Sequence, residues 1–110
     1  MNIVETAIPG VFDVLAEPHR DELGFFARVY SPAEFVAAGI DFTPSQINLS
    51  RNREALTLRG MHWQDPPFAE AKLVRATAGV AHDVVVDLRP ESPTFRRWLS
   101  RRLSALEANA

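Results

Sequence analysis

The chemistry this 110-residue sequence has to offer is concentrated between Leu56 and Arg89, in Arg59, His62, Gln64, Lys72 and Asp83. A neutral imidazole, with an ordinary pKa of about 6.5, accepts protons at neutral pH. Two cations near it attract an anionic ligand, and an ammonium beside the base stabilises an enolate oxygen as the proton leaves. Fixed charge of that kind is worth roughly 3–4 kcal/mol in a water-excluded site. The set therefore suits an anionic substrate with an acidic C–H or O–H. Each residue also has a plainer reading. A single histidine on a strand is usually a hydrogen-bonded structural residue, and a strand-edge lysine is usually solvated. Asp83 either pairs with Lys72 and keeps it charged or is a polar residue at the rim.

The elements that must position these residues read mainly as short strands. Short β-like pieces fall around Val11, Phe12, Val14 and Leu15, with Pro9-Gly10 as a break. Residues 21–30 suit a strand entered through a glycine turn at Gly24. Ser31-Pro32-Ala33-Glu34 is a capping box with proline at the first helical position, and Gly39 stands where a helix ends, which predicts a short helix over 32–38. Gln46–Ser50 alternates like a half-buried strand, and Arg51–Glu54 is a charged turn. Leu56–Gln64 alternates too, until Asp65-Pro66-Pro67 ends it. Lys72–Thr77 and Ala81–Leu88 read as a strand pair joined around Ala78-Gly79. Val84-Val85-Val86 is apolar on both faces, as a central strand would be. Arg59 and His62 are an odd number of positions apart, so a regular strand points them to opposite faces. Either only one faces a shared pocket, or Gly60 allows a bulge that re-aims a side chain. From Phe95 the apolar residues Trp98, Leu99, Leu103 and Leu106 follow a helical spacing.

Composition excludes several classes. Twelve basic against fourteen acidic residues give a net charge of −2, with no basic face for nucleic acid. Without cysteine there is neither a disulfide framework nor thiolate chemistry. Residues 1–10 do not read as a signal peptide, and no apolar run approaches the roughly 18 residues of a membrane span. The expectation is a single cytoplasmic domain over residues 1–110, with no membrane or nucleic-acid partner. His19, His62 and His82 are too scattered for a metal-binding cupin site, and there is no nucleophile elbow, phosphate loop or zinc-ligand spacing.

The order of the motifs is more specific than their chemistry. R-G-M-H-W-Q at 59–64, P-P at 66–67, K-L-V-R at 72–75 and D-V-V-V-D-L-R-P-E-S-P-T-F at 83–95 resemble the dTDP-4-dehydrorhamnose 3,5-epimerase family of sugar-nucleotide enzymes. The resemblance runs from about Phe12 to about Ala105. It implies a mainly β fold: a jelly-roll, cupin-like β-sandwich, here incomplete, with one short helix. It implies an isomerase that epimerises a nucleotide-linked 4-keto-6-deoxy sugar without metal or redox cofactor. His62 would be the base that takes protons from carbons next to the ketone, and Lys72 the enolate stabiliser. Arg59, Gln46 and Asn48 would bind the ligand, with Asp83 in support. Both Arg59 and His62 would face inward, so an irregularity is expected at Gly60. The tail would be a strand through about Leu103, and His82 would be a packing substitution for an aromatic residue. Family members are dimers whose N-terminal strands pair with the partner's sheet, so a homodimer or larger homo-oligomer is expected.

The pattern also departs from the family. Leu23 stands where an arginine is usual and Arg28 where a glutamate is frequent, so Arg28 is a candidate replacement for the nucleotide-binding cation. The family's second histidine, its tyrosine general acid and the carboxylate that orients the base would all lie beyond Ala110. The alternative reading is therefore a non-catalytic relative that binds a sugar nucleotide or only self-associates.

Overall fold

The computed structural model describes residues 1–110. Six strands form three antiparallel pairs, and one helix stands between the second and third. Strand β1 (Asn2–Glu5) pairs with β2 (Phe12–Leu15), placing Ile3 opposite Val14. The connection needs Gly10, whose φ is +81°, and its N–H donates to Glu5 Oε1 at 2.8 Å. Strand β3 (His19–Asp21) turns tightly into β4 (Gly24–Phe26). Asp21 Oδ1 accepts from the N–H groups of Leu23 and Gly24 at 2.8 and 2.9 Å, an Asx turn that replaces missing backbone partners. The strand expected over 21–30 thus stops at Phe26.

Helix α1 (Pro32–Ala37) forms where its caps dictate. Ser31 Oγ accepts from the Glu34 N–H. At the other end Gly39 N–H donates to Val36 O, and Ile40 N–H to Phe35 O, both at 2.9 Å. This reciprocal pair is a Schellman motif, and it needs the left-handed Gly39 (φ +77°). The helix buries Phe35 against Tyr30 and Phe42, with ring centroids 5.1 and 5.8 Å away. Tyr30 Oη donates to the Phe42 carbonyl at 2.8 Å, satisfying its one polar group.

Strand β5 (Val80–Val86) pairs with β6 (Trp98–Ser104) over seven residues, from Val80 opposite Ser104 to Val86 opposite Trp98. The tail is therefore a strand, and its helical spacing is overridden by the ladder. The loop between them is closed by Asp87. Its carboxylate accepts from Arg89 Nε at 2.8 Å, Ser92 Oγ at 2.5 Å and Thr94 Oγ1 at 2.7 Å. Hydrogen bonds from Arg89 first, and then from Ser92 and Thr94, outweigh burial and hold this carboxyl well below the usual carboxylate range. Arg89 Nη2 reaches on to the Pro9 carbonyl at 2.7 Å, tying the loop to the β1–β2 connection.

β2 joins the two halves of the chain. Val14 and Ala110 exchange backbone hydrogen bonds of 2.8 and 2.9 Å, so residues 108–110 extend the β1–β2 sheet on its second edge. Arg101 on β6 forks onto Asp13 of β2 at 2.6 and 2.8 Å. Ile8, Val14, Ala16, Leu103 and Ala108 are buried there.

Three expected strands are absent. Gln46–Ser50, Leu56–Gln64 and Lys72–Thr77 are irregular, and β5 pairs with β6 rather than with 72–77. Alternation supplies a strand's faces, but only pairing with a neighbouring edge supplies its ladder, and none of the six strands pairs with these segments. Leu56 (φ +61°) and Gly60 (φ +99°) also interrupt an extended backbone. Likewise β5 has one ladder neighbour, not the two of a central strand. The result is open. Only nine residues are buried, and the radius of gyration is 15.1 Å against about 13 Å for a compact chain of this length.

Two outcomes test these devices. Gly39→Ala meets no atom within 4 Å, so backbone strain alone should lower unfolding stability, by about 1 kcal/mol in urea titrations. Asp87→Asn should lower the denaturant midpoint at pH 7. Because the folded-state carboxyl is depressed, its contribution is fully present above about pH 4 and is lost as pH falls toward the folded value. The gap between parent and variant should therefore narrow below about pH 4. A gap that stays constant to pH 2 would mean the carboxylate charge does not close this loop.

Candidate active-site groove

One groove of about 1040 Å³ separates the β5–β6 pair from the irregular segment 59–74. Arg59, His62, Gln64, Lys72 and Asp83 all line it, together with Asp13 and Arg101 at the β2–β6 junction. Residues scattered over 25 positions of sequence thus meet at one surface, although only Asp83 stands on a regular strand.

Gly60 accounts for the placing of His62. A Cβ at this position would lie 3.1 Å from His62 Nδ1, so the imidazole packs directly against the glycine backbone. With φ at +99°, the chain turns here in a way that side-chain-bearing residues rarely adopt. The expected irregularity is present, and it brings Arg59 and His62 to the same groove despite their odd spacing. Arg59 Nε donates to Asn52 Oδ1 at 2.7 Å, a tether that no motif announced.

Lys72 pairs with Glu70 at 3.2 Å, not with Asp83. Both side chains of that pair are about half exposed, so it contributes little and is readily exchanged for another anion. Asp83 is half-buried and makes neither an ion pair nor a hydrogen bond through its carboxylate. Directly across the ladder from it is Arg101.

The remaining candidates lie elsewhere. Gln46 and Asn48 are exposed and do not line the groove. Arg28 pairs with Glu34 at 3.6 Å in a separate depression beside Met1, Glu17 and His19. His82 is exposed on β5, not packed as its aromatic substitution implied. No three of the histidine and carboxylate side chains come close enough together to hold a metal ion. The groove's unforeseen members are Asp13 and Arg101. They are 88 positions apart, and no local pattern could have linked them.

Known proteins match this arrangement over nearly its whole length. The model of the dTDP-4-dehydrorhamnose 3,5-epimerase family matches residues 5–110. The dTDP-4-dehydrorhamnose 3,5-epimerase of Pseudomonas aeruginosa is 44% identical over 108 residues, 96% of this chain and 58% of that one. The crystal structure of the Bacillus anthracis enzyme with TDP and PPi bound superposes with a TM-score of 0.93 at 34% identity. That match covers 98% of this chain and 62% of the other. The dTDP-6-deoxy-D-glucose-3,5-epimerase of Legionella pneumophila, in complex with dTDP-4-keto-L-rhamnose, superposes with a TM-score of 0.87 at 34% identity, over 98% and 57%. This chain spans a little under three-fifths of the curated relatives it matches. The fold class is mainly β, of the cupin-like jelly-roll kind, and its regular elements are six strands and one short helix. On sequence and on structure alike, the chain belongs to the dTDP-4-dehydrorhamnose 3,5-epimerase family.

Proposed function

We propose that this chain carries the proton-abstracting half of a sugar-nucleotide epimerase site, acting on a nucleotide-linked 4-keto-6-deoxy sugar. The observation that supports this reading most is the meeting of His62, Lys72 and Arg59 on one groove. In the proposed reaction His62 takes a proton from the carbon next to the ketone. The C–H electron pair moves to the carbonyl oxygen, and the Lys72 ammonium stabilises the enolate that results. Delivery of a proton from water to the opposite face inverts the carbon, and His62 returns its own proton to solvent. Arg59 holds the diphosphate or the sugar oxygens through its guanidinium fork, and Asp83 keeps Lys72 charged once a ligand displaces Glu70. Gln46, Asn48 and Arg28 stand outside the groove, so their part in binding requires segment 46–50 or a second chain to bring them in.

A second reading has its own support. His62 and Lys72 are exposed, and so are the apolar groove residues Met61 and Trp63, at 54% and 65% of full exposure. A chain that only binds a sugar nucleotide or associates with itself would look the same. Either way, the unpaired segments and apolar surface favour a homodimer or larger homo-oligomer. No helix is long and apolar enough to cross a membrane, and a cytoplasmic location fits a nucleotide-sugar ligand.

Solvent deuterium exchange into a dTDP-4-keto-6-deoxy sugar separates the two readings, because it needs the base alone. Slow exchange with little net epimerisation is expected, and His62→Ala should reduce it by roughly 10²–10⁴-fold. Equal exchange in parent and variant would remove His62 from the mechanism. Sedimentation at micromolar concentration should give a dimer or larger species. A cooperative monomer would mean that the 110 residues close their own core.

A further inference from the structure

We infer that Asp13 is a positioning residue whose pairing with Arg101 keeps the Asp83 carboxylate free to face the groove. Asp83 and Arg101 stand directly opposite each other in the β5–β6 ladder, so their side chains leave the same face of the sheet. An aspartate opposite an arginine ordinarily forms the cross-strand ion pair. Here it does not. Arg101 turns to the neighbouring sheet, donating from Nε to Asp13 Oδ1 at 2.6 Å and from Nη2 to Asp13 Oδ2 at 2.8 Å. Its Nη1 donates to the Ser100 carbonyl at 2.9 Å. All three nitrogens of the guanidinium are engaged, and the fork is bidentate, the strongest geometry open to an arginine and a carboxylate.

Asp83 is thereby left without a partner, half-buried, in the groove that Lys72, His62 and Arg59 also line. Arg101 and Asp13 line the groove on the strand side and those three line its opposite wall. With Arg101 neutralised by Asp13, the opposite wall of the groove supplies the cations Arg59 and Lys72, the latter in a half-exposed pair with Glu70. Asp83 is available to Lys72 or to a ligand hydroxyl because another carboxylate has taken its natural partner. Asp13 never needs to touch a ligand to have this effect.

This inference rests on the proposed proton abstraction for its kinetic consequence, but its structural half can be tested without any activity. In Asp13→Asn the amide holds Arg101 more weakly, and the guanidinium should swing to Asp83. A crystal structure or side-chain NMR of that variant should show the Arg101–Asp83 contact even if the parent exchanges no deuterium. Where the parent does exchange, Asp13→Asn should slow turnover about fivefold, the factor carried by a partly exposed ion pair, with little change in KM. The decisive comparison is the double variant Asp13→Asn with Arg101→Gln. It removes the competitor along with its decoy, so exchange should return to within roughly twofold of the parent. A merely structural role for the pair would make the double variant at least as slow as the single one. Should Asp13→Asn not fold, Arg101→Gln alone still decides, since exchange close to the parent rate is expected and a fivefold loss would overturn the inference. So would an Asp13→Asn structure in which Arg101 keeps its place.

Discussion

The structure depends on what happens at β2. A sheet of two short strands is marginal by itself, and each of the three pairs here is of that size. What makes a domain of them is the backbone junction at which β2 takes residues 108–110 onto its free edge, to which the part-exposed Asp13–Arg101 pair adds only modestly. Asn109 reinforces it from within, its Oδ1 accepting from Ser104 N–H at 2.8 Å and its Nδ2 donating to the Arg102 carbonyl at 2.9 Å. The buried residues Val14, Leu103, Ser104 and Ala108 gather around this point. The groove borders the same junction, since Asp13, Arg101 and residues 83–86 of β5 all line it.

Local chemistry was legible in the sequence wherever it was self-contained. The capping box at Ser31, the proline at its first turn and Gly39 at its end fix a helix whose bonds are all internal to ten residues. The tail shows the opposite case. Its apolar spacing favours a helix, yet Trp98–Ser104 is a strand because β5 offers seven ladder positions, a gain that exceeds any local preference. Family likeness identified it where periodicity did not. The strands expected at 46–50, 56–64 and 72–77 failed for the complementary reason. Their alternation describes the surfaces they would present to a neighbour, and a one-dimensional pattern cannot say whether that neighbour is present.

The same distinction runs through the site. His62, Lys72, Arg59 and Asp83 were readable as a set because the motif carries them, and they do line one groove. Gln46 and Asn48 share a strand face only if there is a strand. The Asp13–Arg101 pair was invisible, since neither residue belongs to a motif and the contact spans most of the chain. Motifs report residues that lie together in one stretch of chain, whereas a pair such as Asp13 and Arg101 is found only through the fold.

Exposure decides what the groove can do as it stands. Two unit charges 4 Å apart interact by about 1 kcal/mol in bulk water and about 4 kcal/mol at an effective dielectric constant near 20. Lys72, half exposed and resting on Glu70, is closer to the first case. An enolate there would gain only a fraction of the stabilisation that a dry site supplies. The segment that carries His62 also carries exposed Leu58, Trp63 and Phe68, whose apolar surface gains from any cover. A sheet edge laid along residues 56–64 would supply their missing ladder, bury those side chains and exclude water from Lys72. With such a cover, strand formation, association and the strength of the proposed site would form one coupled equilibrium, each term favouring the other two.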